Sequence, residues 1–234
     1  MIINTRPLTL ADKTNQLLKG SGLDFLHNPL TKISSISPSD EDLLKLRQLD
    51  SYDVIIFTSQ SAAKFGASFL KEHVKDNLAI PIMAIGLATQ AALNDHDLIS
   101  NVPSAFNSVS LAELIEQGKH EKCLIFCGGK QPQLSFHTPV TLDTFSCYEV
   151  IDEESVELSS ITGNRKAIFL IYNIQTLEVL VRYSQAADLE KMNLIVASPR
   201  IQEAAFNHGI KDCVVAESPH DEEMTEAAIK LARS

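Results

Sequence analysis

Asp53-Val54-Ile55-Ile56-Phe57-Thr58-Ser59-Gln60-Ser61-Ala62-Ala63 is an apolar run that ends in hydroxyl residues and passes into a helix-forming stretch. Its large apolar residues are consecutive rather than alternating, the pattern of a strand buried on both faces of a parallel sheet. Ser59 and Ser61 stand where a helix cap belongs. The segment therefore reads as strand, cap and helix, the repeating step of an α/β fold.

The same step recurs in Ala167-Ile168-Phe169-Leu170-Ile171-Tyr172-Asn173-Ile174-Gln175-Thr176-Leu177. Ile82-Met83-Ala84-Ile85-Gly86 likewise returns as Leu194-Ile195-Val196-Ala197-Ser198, and the acidic-apolar helix at Leu111–Ile115 returns at Met224–Ile229, all at offsets of 112 to 114. The opening Ile2–Arg6 resembles Cys123–Gly128. Matches recurring in one order mark a duplicated α/β unit of domain size.

Outward from these anchors, strands are expected at 1–5, 24–28, 53–58, 80–85, 98–102, 122–127, 144–149, 166–171, 193–197 and 212–216. Helices are expected at 9–20, 60–73, 87–94, 108–117, 174–184, 199–208 and 221–233. Ser108 and Ser110 suit a helix start, Ser198-Pro199 a cap and first-turn proline, and Gly20 and Gly209 helix stops. Two polar stretches, near 31–42 and 150–165, break the alternation and read as linkers. If both are linkers, residues 36–150 form one inserted domain, and residues 1–33 with 155–234 form a discontinuous one.

Composition excludes several classes. Thirty Asp+Glu against twenty Lys+Arg give a net charge of −10 over 234 residues, unsuited to nucleic acid or an anionic membrane. No apolar run approaches the roughly 20 residues of a membrane span. The N-terminus lacks a signal-peptide pattern. Cys123, Cys127, Cys147 and Cys213 form no CxxC pair and read as buried free thiols of a reducing cytoplasm. Histidines such as His27, His96 and His208 are scattered, so no metal site is expected, and a monomer is.

Ligands of open parallel sheets sit beyond the carboxyl ends of the strands. There the sequence places Arg6, Thr58-Ser59-Gln60-Ser61, Gly86 to Thr89, Gly128-Gly129-Lys130, Tyr148, Asn173 and Ser198-Pro199-Arg200. Ser59 is a cap, a ligand contact or both. Gly86 serves a tight turn or a close ligand approach. Arg6 is an anion contact or a surface residue, and Tyr148 a rim residue or a site residue. Gly128-Gly129-Lys130 lacks the spacing of a nucleotide loop. With so few acid–base groups, catalysis here would rest on positioning.

Arg6-Pro7, Asn28-Pro29-Leu30, Phe57 to Ala63, Ala84-Ile85-Gly86-Leu87-Ala88-Thr89, Val102-Pro103 and Cys147-Tyr148-Glu149 together resemble the uroporphyrinogen-III synthases. The resemblance implies two similar flavodoxin-like α/β domains with parallel sheets, a two-stranded linker and a cleft between them. It implies a cofactor-independent hydro-lyase of tetrapyrrole (porphyrin, heme) biosynthesis that closes a linear tetrapyrrole, hydroxymethylbilane, with ring D inverted and water lost. By resemblance Tyr148 and Thr89 are the catalytic candidates. Arg6, Ser59, Ser61, Gly86, Gly128, Lys130, Asn173, Ser198 and Arg200 are candidates for substrate binding. Tyr172-Asn173 replaces the usual Thr-Ser, and Ser198-Pro199-Arg200-Ile201 replaces a Gly-x-x-Thr loop. Those departures support a competing expectation, a non-catalytic two-domain binding module for a small anionic ligand.

Overall fold

The computed structural model describes residues 1–74, 80–105, 107–129, 134–153 and 167–234. The chain forms two compact units, Met1–Lys32 with Ile151–Ser234, and Ile33–Val150.

In the discontinuous unit the strands are β1 (Ile2–Asn4), β2 (Phe25–His27), β8 (Ile168–Ile171), β9 (Asn193–Val196) and β10 (Asp212–Val215). They lie in the order β10-β9-β8-β1-β2, with every pairing parallel. Its helices are α1 (Asp12–Gly20), α6 (Ile174–Arg182), α7 (Ala186–Leu189), α8 (Pro199–Asn207) and α9 (Asp221–Arg233). The inserted unit has β3 (Thr31–Ser35, entering from the boundary), β4 (Val54–Phe57), β5 (Ile82–Ala84), β6 (Lys122–Gly128) and β7 (Thr141–Asp152). Their order is β3-β7-β6-β4-β5, and β7, β6, β4 and β5 run parallel. Its helices are α2 (Asp40–Arg47), α3 (Gln60–His73), α4 (Leu87–Asn94) and α5 (Ser108–Gln117).

The continuous apolar runs have a direct cause. In β4, Ile55 and Phe57 join one core with α2, α3 and α4, while Val54 and Ile56 join another with α5. In β8, Phe169 and Ile171 pack with α6 and α8, while Ile168 and Leu170 pack with α1 and α9. Each central strand thus buries both faces, the condition under which alternation disappears.

Strand neighbours follow the sequence repeat. Placing β4 on β8, β5 on β9 and β6 on β1 reproduces the order β6-β4-β5 as β1-β8-β9. The Met83–Asn101 bridge beside β5 then falls where β10 lies beside β9. Each unit therefore joins strands from both halves of the duplication.

Local signals refine the boundaries. The polar stretch 31–42 contains β3 and the start of α2, where Ser39 and Asp42 form a reciprocal capping box. The expected strand 98–102 is reduced to the single Asn101 bridge, and Ile99 is exposed rather than packed. Asn107, not Ser108 or Ser110, caps α5, accepting the Ser110 N–H at 2.9 Å. After α1 the left-handed residue is Gly22 (φ 71°) rather than Gly20. Gly209 (φ 84°) does close α8: Ile210 N–H reaches Ala205 O and Gly209 N–H reaches Phe206 O, a Schellman stop. β7 is twelve residues long, twice the expected run, and most of the expected linker 150–165 lies outside the described residues. All four cysteines are buried and free. Among the described residues no helix is long and apolar enough to cross a membrane, and no His/Cys/Asp/Glu group could hold a metal ion.

Candidate active site

Both sheets reverse their strand connections at one seam, between β4 and β6 in the inserted unit and between β1 and β8 in the other. The carboxyl end of such a seam is where doubly wound sheets bind ligands.

At the β4/β6 seam the chain gathers Ser59, Gly128 and Tyr148. Ser59 is extended (φ −164°), and its Oγ caps α3 by accepting the Ala62 N–H at 3.0 Å. That Oγ also lies 3.0 Å from Tyr148 Oη. Tyr148 arrives through a register shift: Cys127 pairs with Ser146, but Gly128 pairs with Tyr148. Cys147 is the extra residue and turns into the core, its thiol reaching Cys127 O at 3.4 Å. An inserted residue re-aims the side chains that follow it, here the phenol. Gly128 fits closely beside that ring: a Cβ there would meet Tyr148 Cε2 and Cζ at 3.0 Å, so the ring would have to give by a few tenths of an ångström. Burial raises the Tyr148 phenol above its ordinary pKa, opposed by the Ser59 hydrogen bond.

The other candidates of this unit are placed differently. Ser61, in the first turn of α3, and Thr89, in the first turn of α4, are buried at 5% and 3% exposure. Gly86 is extended (φ −171°), a conformation open to any residue. Lys130 lies outside the described residues.

The β1/β8 seam carries an unanticipated cluster. Arg6 Nη1 donates to Asp221 Oδ1, and the guanidinium lies over the Tyr172 ring, 4.2 Å from its centroid. Thr14 Oγ1 donates to the same carboxylate oxygen at 2.7 Å. Arg6 is thus a half-buried side chain with an internal carboxylate partner already in place. Asn173 caps α6 through its side-chain oxygen, accepting the Thr176 N–H at 2.8 Å. Ser198 occupies the cap position of α8 without a side-chain hydrogen bond, and Arg200 is exposed in its first turn. In the sequence Tyr172 stands with the strand-end residues, following β8 as Thr58 follows β4, and Asp221 reads as favourable acidic charge in a helix first turn; what the sequence does not show is that both meet Arg6.

Two doubly wound units with hydroxyl, phenol and guanidinium groups at their seams define an α/β protein of the class whose ligands sit beyond the strand ends. The family model described as Uroporphyrinogen-III synthase HemD matches residues 12–226. The chain belongs to the uroporphyrinogen-III synthase family, the lyases that close hydroxymethylbilane to uroporphyrinogen III. Its fold is similar to that of a uroporphyrinogen-III synthetase from Helicobacter pylori, at 16% identity and TM-score 0.62, covering 98% of each chain. It is also similar to a mutant uroporphyrinogen III synthase from Thermus thermophilus, at 14% identity and TM-score 0.60, covering 99% of this chain and 98% of that one. No curated protein matches the sequence.

Proposed function

We propose that this chain cyclises hydroxymethylbilane with ring D inverted, and that Tyr148 assists departure of the terminal hydroxyl. The observation that carries the assignment of Tyr148 is its hydroxyl pair with Ser59, aimed by the register shift and seated against Gly128. A phenol is protonated at neutral pH, as a donor to a leaving hydroxyl must be, and burial of Tyr148 leaves it so. The hydroxyl takes the phenol proton and leaves as water as the C–O bond breaks, the pyrrole nitrogen lone pair supplying the electrons; the resulting azafulvenium gives up its N–H proton, which restores the phenol, and the neutral azafulvene is held for closure.

Substrate carboxylates are assigned to helix N-terminal amides at α3, α4 and α6 and to Arg6, with Gly86, Gly128, Asn173 and Ser198 at the strand ends and Ser61, Thr89 and Arg200 in the first turns of α3, α4 and α8. The discontinuous and inserted units serve as the two domains of the enzyme. The protein works without a cofactor, as a cytoplasmic monomer with no nucleic-acid partner. The four buried thiols and the net charge of −10 support that setting.

The deciding assay supplies hydroxymethylbilane and identifies the uroporphyrinogen isomer. An excess of isomer III over the enzyme-free control is expected. A product no richer in isomer III leaves the small-anion binding module as the reading.

A further inference from the structure

The Arg6 guanidinium is held on a face and on an edge. The Tyr172 ring covers the face, and Asp221 takes Nη1. Asp221 is itself fixed: its Oδ1 also accepts from Thr14 Oγ1 at 2.7 Å and lies 3.4 Å from Tyr172 Oη. Thr14 Oγ1 and Tyr172 Oη are 3.3 Å apart, which closes the network. The four side chains come from the end of β1, from α1, from the end of β8 and from the first turn of α9, so no single element sets the arrangement. The Arg6 and Asp221 side chains are 17% and 15% exposed, well below an ordinary surface pair.

A guanidinium has five donors in a planar fork. Among the described residues Asp221 is its one carboxylate partner, which leaves the Nε–Nη2 edge with the geometry for a second. A long side chain already fixed loses little freedom on binding, so a preset fork binds more tightly than a mobile one. We propose that Tyr172, Asp221 and Thr14 are positioning residues that preset Arg6 as a clamp for one substrate carboxylate. This rests on the synthase reading. It also gives the Tyr172 departure a purpose: the ring supplies a stacking face that the usual threonine lacks.

The test is steady-state kinetics with hydroxymethylbilane on the whole chain. Tyr172→Leu removes the stacking face and is expected to raise KM about tenfold with kcat within about twofold of wild type. Tyr172→Phe keeps the ring and is expected to restore KM to within about threefold. Equal KM for wild type and Tyr172→Leu, equal elevation in Leu and Phe variants, or a fall in kcat instead of a rise in KM overturns the proposal. Should Tyr172→Leu not fold, near-isosteric Thr14→Val unties Asp221 and carries the test: KM about threefold higher is expected, and an unchanged KM overturns the clamp. Isomer analysis of the wild-type product separates the two readings. No isomer III excess sinks the synthase assignment, whereas isomer III with flat KM across the variants sinks only the clamp.

Discussion

Tyr148 Oη and Ser59 Oγ lie 3.0 Å apart, although 89 residues separate them, and the same Ser59 oxygen caps α3. One hydroxyl therefore ties the helix start to the phenol. Tyr148→Phe removes the donor while keeping the ring against Gly128 and Phe65. Turnover is expected to fall about a hundredfold or more if the phenol is the acid, with the melting temperature nearly unchanged. Ser59→Ala, by contrast, is expected to cost about 1 kcal/mol of stability through the lost cap as well as turnover. Unchanged turnover in Tyr148→Phe removes Tyr148 from the mechanism.

Two glycines on neighbouring elements separate site geometry from packing. A Cβ at Gly128 would meet the Tyr148 ring at 3.0 Å, whereas one at Gly66 would meet Phe126 Cδ1 at 2.5 Å inside the core. Gly66→Ala is expected to cost about 1–3 kcal/mol by overpacking, partly offset by better helix propensity, with turnover kept in the folded fraction. Gly128→Ala is expected to lower turnover more than stability, because the displaced ring loses its register with Ser59. Urea unfolding and turnover measured on both variants check the pair. Equal loss of turnover in the two would show that Gly128 does not position the phenol.

What the sequence reveals and hides follows from how local each cause is. β4 and β8 are legible because two buried faces force unbroken apolar runs. β7 begins at Thr141, ahead of its expected start at 144, because pairing with β6 sustains polar residues such as Thr141 and Asp143 in a strand. Residues 98–102 look like a strand by composition, yet Ile99 finds no covering layer and only Asn101 bridges. At the site, Ser59 is visible as a cap, but its partner Tyr148 depends on a register shift that no local pattern encodes. Arg6 and Asp221 are 215 residues apart, and each alone has an ordinary explanation. Only the chain's return to the β1/β8 seam joins them.

The buried thiols predict how stability changes in alkali. Burial pushes Cys123 and Cys147 up to about 12, and Cys127 and Cys213 up to about 11. An unfolded cysteine loses its proton near about 8.5. Below that value both states keep the proton, and the thiols make no pH-dependent difference. Between about 8.5 and 11 the unfolded chain releases protons that the native chain retains, so stability falls by up to about 1.4 kcal/mol per pH unit for each thiol. Urea midpoints under reducing conditions are expected to hold from pH 7 to 8 and to drop from pH 9 to 10. Cys147→Ala should lower stability at pH 7 by leaving a small cavity, yet show a shallower alkaline decline. A decline as steep in Cys147→Ala as in wild type, or rapid reaction of all four thiols with a thiol reagent in the native protein at pH 8, would refute this account.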